Sequence, residues 1–208
     1  MGHPSRGWLM TSVAPWGETH EDAFDQGLVE LGLGDSRLVE VRGAMLPMGF
    51  EPVMPEPLPM GSIVEAHLAV GYAFDGSTAC AGAAWATAVT PEGDACAIVA
   101  TLATQETYED TEMRLRRAIQ QRLASRDLEV TAFDSAVDEV TAAQGHHGVA
   151  VAALILPESM SLQQGRGGRI RGLTKEARPT PAKVVDKAPA APAKRPGAPT
   201  NQGIDFSF

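Results

Sequence analysis

Apolar residues recur at helical spacing in two stretches of the chain and at strand spacing in several others. Thr19 can cap a helix that begins near His20, with Glu21 and Asp22 in its positive first turn. Phe24, Leu28, Val29 and Leu31 then fall roughly on one face, and Gly32 and Gly34 stop the helix. The second predicted helix covers 109–126. Glu109, Asp110 and Glu112 open it, Arg122 and Arg126 close it, and Asp110–Arg114 and Glu112–Arg116 are i,i+4 pairs. Met113, Leu115, Ile119 and Leu123 form its expected buried stripe.

Strand patterns cover 38–41, 62–74, 79–89, 95–104, 130–140 and 149–156, the last apolar throughout. Residues 91–94, Pro-Glu-Gly-Asp, make a turn between two of them. Residues 1–17 read as a short lead-in ending in a strand or turn. Five prolines between 46 and 61 make that stretch irregular. The order α, β, long loop, β, β, β, α, β, β predicts an α/β or α+β sandwich rich in antiparallel pairing.

At 208 residues the chain holds one domain, 1–157, and a tail, 158–208. In the tail six prolines fall between 179 and 199, a composition that suits a flexible linker and cannot build a core. Charge divides the same way. The domain carries eight basic against twenty-two acidic residues, and the tail nine basic against four acidic. So acidic a domain is a poor binder of nucleic acid, whose phosphates need clustered Lys and Arg. All four lysines lie in the tail, which removes Schiff-base chemistry from the domain. Two cysteines, Cys80 and Cys96, make neither a disulfide framework nor a four-ligand zinc site. No basic stretch followed by an apolar run opens the chain, and no segment is apolar enough to span a membrane, so a soluble cytoplasmic protein is expected.

The isolated chemical motifs are weak. His146 and His147 are adjacent, and on a strand they point to opposite faces and cannot chelate one ion; a strand entry or surface loop is the preferred reading. The acidic run 106–112 reads as a helix start rather than a cation site. The glycine- and arginine-rich stretch 165–172 does not lead from a strand into a helix as a phosphate loop does, and reads as linker. No serine sits in a nucleophile elbow.

A longer pattern says more. Gly17-Glu18-Thr19, Asp22-Ala23-Phe24-Asp25-Gln26-Gly27-Leu28, Gly32-Leu33-Gly34 and Leu38-Val39-Glu40-Val41 follow one another, with Pro57-Leu58-Pro59-Met60-Gly61 further on. In order and spacing this resembles the pyruvoyl-dependent arginine decarboxylases over about residues 10–156. The resemblance implies a four-layer αββα sandwich assembled as trimers, with sites near subunit interfaces. Family members cut themselves between two serines. The second becomes a pyruvoyl group, an electrophile for decarboxylating arginine to agmatine, and a glutamate supplies a proton. The resemblance places substrate contacts at Asp25, Gly34, Arg37 and Arg42, with Asp25 as the partner of a guanidinium.

This chain departs from that pattern at the chemistry. The serine pair falls on Arg42 and Gly43, and a glycine has no oxygen with which to form a pyruvoyl group, so no cofactor is expected. The family's asparagine falls on Arg37. Its glutamate falls near Thr101, which is no acid near neutral pH. Ser36 and Ser62 are the remaining candidates for self-cleavage, neither in the family's context. Three readings stand. The first is a non-cleaving subunit that pairs in a homo- or hetero-trimer, with an active relative supplying the electrophile. The second is a repurposed enzyme that binds an amine or amino acid, with Arg37 and Arg42 clamping an anion. The third is an adaptor whose tail engages a protein partner through Phe206 and Phe208. Ordinary arginine decarboxylation is the alternative to all three.

Overall fold

The computed structural model describes residues 5–157. The tail 158–208, with Phe206 and Phe208, lies outside the described residues. Among them are two helices and eight strands: β1 Ser5–Gly17, α1 His20–Glu30, β2 Arg37–Glu40, β3 Phe50–Pro52, β4 Ile63–Phe74, β5 Thr78–Val89, β6 Ala95–Thr104, α2 Tyr108–Ala124, β7 Glu129–Thr141 and β8 His147–Leu156. Five strands form one sheet in the order β2-β4-β8-β1-β3, and three form another in the order β6-β5-β7. α1 lies on β1 and β8, α2 lies on β5, β6 and β7, and the two sheets face each other through β4, β5, β8, β1 and β7. The expected αββα layering is therefore present, with antiparallel pairing everywhere except β1–β3 and β2–β4.

Small residues set the spacing of the layers. Ala79, Ala81 and Ala83 of β5 pack against Ala69, Ala73, Ala150 and Ala152 of the larger sheet. A Cβ on Gly71 would stand 2.6 Å from the Cys80 carbonyl oxygen, so β4 and β5 meet almost backbone to backbone there. Even-numbered positions of β5 turn to α2, where Ala84, Ala86 and Ala88 meet Leu115, Ile119 and Leu123. Cys80, also buried, gives its thiol to the Glu106 carbonyl at 2.9 Å. Burial, foremost, pushes that thiol's pKa up.

Both helices start where the sequence places them. The Asp22 N–H donates to Thr19 Oγ1, and the Asp22 carboxylate accepts from the Glu18 N–H at 2.8 Å, a reciprocal cap. Thr107 does the same for Asp110 N–H. The buried faces differ from the expected ones. In α1 the buried line is Ala23 and Gly27, and Leu31 at its end is buried as expected; Phe24 and Leu28 are half-buried, and Val29 is exposed. A Cβ on Gly27 would meet Val149 at 2.8 Å, so the helix axis comes down onto β8 along its small residues. In α2, Leu115, Ile119 and Leu123 are buried as expected but Met113 is exposed. Arg116 pairs with Glu112 at 2.9 Å, while Arg114 pairs with Glu106 at 3.0 Å.

Residues 5–17 are no lead-in. β1 is a thirteen-residue strand between β8 and β3, with a register shift after Ala14 that accommodates Pro15. The proline-rich stretch 46–61 is irregular except for β3. His147 does open a strand. Its ring lies 4.3 Å from that of His20 and 4.6 Å from that of Phe74, while His146 is exposed.

Candidate functional site

β2 is only four residues long and pairs with β4 from Ile63 to Ala66. The chain then leaves the larger sheet. Val41 N–H still reaches the Ala66 carbonyl at 3.0 Å, but by Ala44 the backbone has crossed to the edge of the smaller sheet. There Val99 N–H donates to the Ala44 carbonyl and Leu46 N–H donates to the Ala97 carbonyl, both at 2.9 Å. Residues 42–46 are thus a crossover that closes one edge of the sandwich. Gly43 lies within it, with open space where a Cβ would project, so neither packing nor backbone conformation demands a glycine there. Arg42 extends into solvent and pairs with Glu40 at 3.1 Å.

Thr101 lies on β6, two residues beyond Val99. Ala97 and Val99 pack toward Trp85, Leu154 and Leu156, so this parity of β6 turns to the larger sheet, and Thr101 shares it. Gly43 and Thr101 therefore belong to one edge of the sandwich.

Asp25 belongs to the other side. It is exposed on α1, in a shallow depression shared with Val13, Ala14 and Pro15 of β1. Between β2 and β1 stand β4 and β8, so the two regions are three strand spacings apart, about 14 Å. One chain does not bring Asp25 together with Gly43 and Thr101. Gly34 has a packing role: a Cβ there would meet Val29 at 2.7 Å. Arg37 is exposed at the start of β2, where its N–H is held by the Ser62 carbonyl at 2.8 Å, and only Arg42 of the two arginines lies on the crossover. Ser36 N–H closes the turn onto Leu33, and the buried Ser62 hydroxyl has no hydrogen-bond partner among the described residues.

The structure adds three residues that pattern reading passed over. Glu65 and His67 are two apart on β4, so both side chains share the face turned to the smaller sheet. His67 is 3% exposed, its Nε2 has no hydrogen-bond partner among the described residues, and Glu65 Oε1 is 3.9 Å away. Arg122 reaches in from α2 and donates through Nη1 to the Val99 carbonyl. Burial, above all, pushes the His67 pKa down; Glu65 pulls it up and Arg122 pushes it down. Burial also lowers that of Arg122, with Arg126 adding to it. The sequence signal was available: Glu65 and His67 interrupt an otherwise apolar strand at the spacing that puts both on one face.

A two-helix, eight-strand αββα sandwich with a crossover tied between its sheets defines the structural class. The family model described as pyruvoyl-dependent arginine decarboxylase matches residues 9–161, and the chain belongs to that family. A comparison with curated proteins found no match.

Proposed function

We propose that this chain is a divergent, non-cleaving family member that serves as one subunit of an oligomeric assembly. Position 43 supports this first. A glycine carries no hydroxyl for the N-to-O acyl shift, so the crossover does not fit a self-made pyruvoyl group. Position 101 supports it second, because a threonine hydroxyl does not serve as an acid near neutral pH.

The observation that carries the subunit reading is the separation of Asp25 from the crossover. With three strand spacings between them, a site that uses both edges draws them from two chains. In a mixed assembly this chain offers Asp25 as a carboxylate for a cationic ligand, and the neighbour offers its crossover edge.

Intact mass and co-expression test the proposal. The purified chain should give one species near 21.9 kDa. Co-expressed with a self-cleaving family member, it should purify as a mixed oligomer, and D25A in this chain should lower that oligomer's arginine decarboxylation. Two fragments, the second beginning in a carbonyl, would overturn the reading, as would CO2 release from arginine by this chain alone.

A further inference from the structure

Val99 joins two elements through a single residue. Its N–H holds the Ala44 carbonyl of the crossover, and its carbonyl holds Arg122 of α2. His67 follows Ala66, whose carbonyl holds the Val41 N–H where the chain leaves β2 for the crossover, and it is in contact with Glu65 and within the field of Arg122. A buried imidazole nitrogen with no hydrogen-bond partner is costly in a layer built largely of alanine and leucine.

We propose that His67, Glu65 and Arg122 form a proton-operated latch on the 42–46 crossover, so that protonation of His67 releases the crossover from β6. The proposal deepens the subunit reading above and rests on it for its consequence: the edge that loosens is the one a neighbouring subunit would meet.

The charges around His67 set the direction. Glu65 comes from its own strand and Arg122 from α2. From β6, Val99 and Thr101 share the facing parity, and the crossover contributes Ala44 and Leu46; none of these four titrates. From β8, His67 is paired with Leu154. An imidazolium at His67 is drawn to Glu65 and repelled by Arg122, in a layer too dry to solvate it. Two movements relieve the repulsion. Water enters the edge, or Arg122 withdraws from the Val99 carbonyl. Either weakens the Val99 junction that holds Ala44. Above the titration His67 is neutral and the junction stays closed.

Amide hydrogen exchange of the full chain, corrected for intrinsic rate, tests the latch without any partner. From about pH 7.5 to about pH 5.5, protection at Leu46 and Val99 should fall, by no more than about tenfold per pH unit for one proton. Protection at Leu33, whose N–H is held by the Leu28 carbonyl at the end of α1 and opens locally, should not fall with it. H67Q should abolish the dependence, and E65Q should move it to lower pH. The latch is overturned if Leu46 and Val99 keep their protection on acidification, or if H67Q retains the wild-type response. Should H67Q fail to fold, an unmoved midpoint in E65Q overturns it instead. A failure to form mixed oligomers, by contrast, removes the subunit reading and leaves the exchange result standing.

Discussion

β8 and β4 are hydrogen-bonded neighbours, Glu65 opposite Leu156 at one end and Phe74 opposite His147 at the other, yet they are built from different residues. After His147, every residue of β8 is buried and apolar. β4 carries Glu65 and His67 on its inner face, and Tyr72 and Phe74 lie exposed on the other. Position explains the contrast. β8 has a strand on each side, α1 over one face and the smaller sheet over the other, so a polar side chain there has no route to water or to a partner. β4 has β2 beside it only as far as Ala66, and the end of its outer face is exposed at Tyr72 and Phe74. An edge of this kind can hold ionisable groups because a partner can reach in, as Arg122 does. The strand that holds the domain together and the strand that can respond to protons are thus adjacent.

Truncation in β8 tests the first half of this comparison and should have the largest effect. Leu154 is fully buried against Trp85 and Phe50 in the layer between the sheets. Leu154→Ala should cost about 2–5 kcal/mol in urea unfolding, the range for a buried leucine whose cavity collapses only in part. A loss below about 1 kcal/mol would mean that the layers close over the gap and that β8 is less rigidly packed than its burial implies.

Gly71 tests the half of β4 that resembles β8. Its missing Cβ faces the Cys80 carbonyl oxygen at 2.6 Å, backbone against backbone, with no flexible side chain to yield. Gly71→Ala should force the sheets apart locally and cost about 1–3 kcal/mol. The same substitution at Gly43, which meets nothing, is its control.

Most of the fold was legible for reasons this comparison makes plain. β8 announced itself because burial on every side allows only apolar residues. The helices announced themselves through local chemistry, α1 through its Thr19 cap and α2 through its acidic first turn and closing Arg122. The full length of β1, beyond the strand or turn expected at its end, is hidden because Gly7, Pro15 and Gly17 break the strand signature, and its pairing with β8 overrides that local preference. Val29 is exposed because α1 comes down on Ala23 and Gly27, and Met113 is exposed because it lies off the Leu115, Ile119 and Leu123 line that α2 buries. The expected Asp110–Arg114 contact gave way to Arg114–Glu106 because Asp110 is engaged with the Thr107 hydroxyl. Among the site residues, Gly43 and Thr101 were placed by resemblance and share an edge. Glu65 and His67 come from β4 and Arg122, legible only as a helix-closing charge, from α2, and elements so far apart in sequence give no local sign of their meeting.

The pH dependence of unfolding sharpens the contrast at the edge. The folded-state pKa of His67 lies below the 6.5 of an unperturbed imidazole. Around and below that value the unfolded chain therefore binds more protons than the folded one, and stability falls as pH falls. The contribution is fully present above about pH 6.5, is lost on acidification, and has a slope of no more than one proton. Denaturant titrations of wild type and H67Q should run parallel above about pH 7 and diverge below it, with the wild type losing more. Equal losses would assign the acid sensitivity to other groups, and β4 would then be no more responsive than β8.

Introducing a serine pair at positions 42 and 43 should disturb stability least and inform most. The Arg42 side chain is 89% exposed, and its pair with Glu40 is a surface contact of little energetic weight. Open space at Gly43 admits a serine without displacing a neighbour. R42S/G43S should therefore unfold within about 0.5 kcal/mol of wild type, as surface substitutions do. Its intact mass then asks whether the crossover still has the geometry for self-cleavage. Two fragments whose masses sum to the chain plus water less ammonia, as conversion of a serine to a pyruvoyl group requires, would show that the backbone between β2 and β6 is competent once the hydroxyls are supplied. A single uncut chain of unchanged stability would place the divergence deeper, in the acidless β6 edge and in the Glu65–His67 pair beneath it, and T101E added to the same variant would separate those two causes.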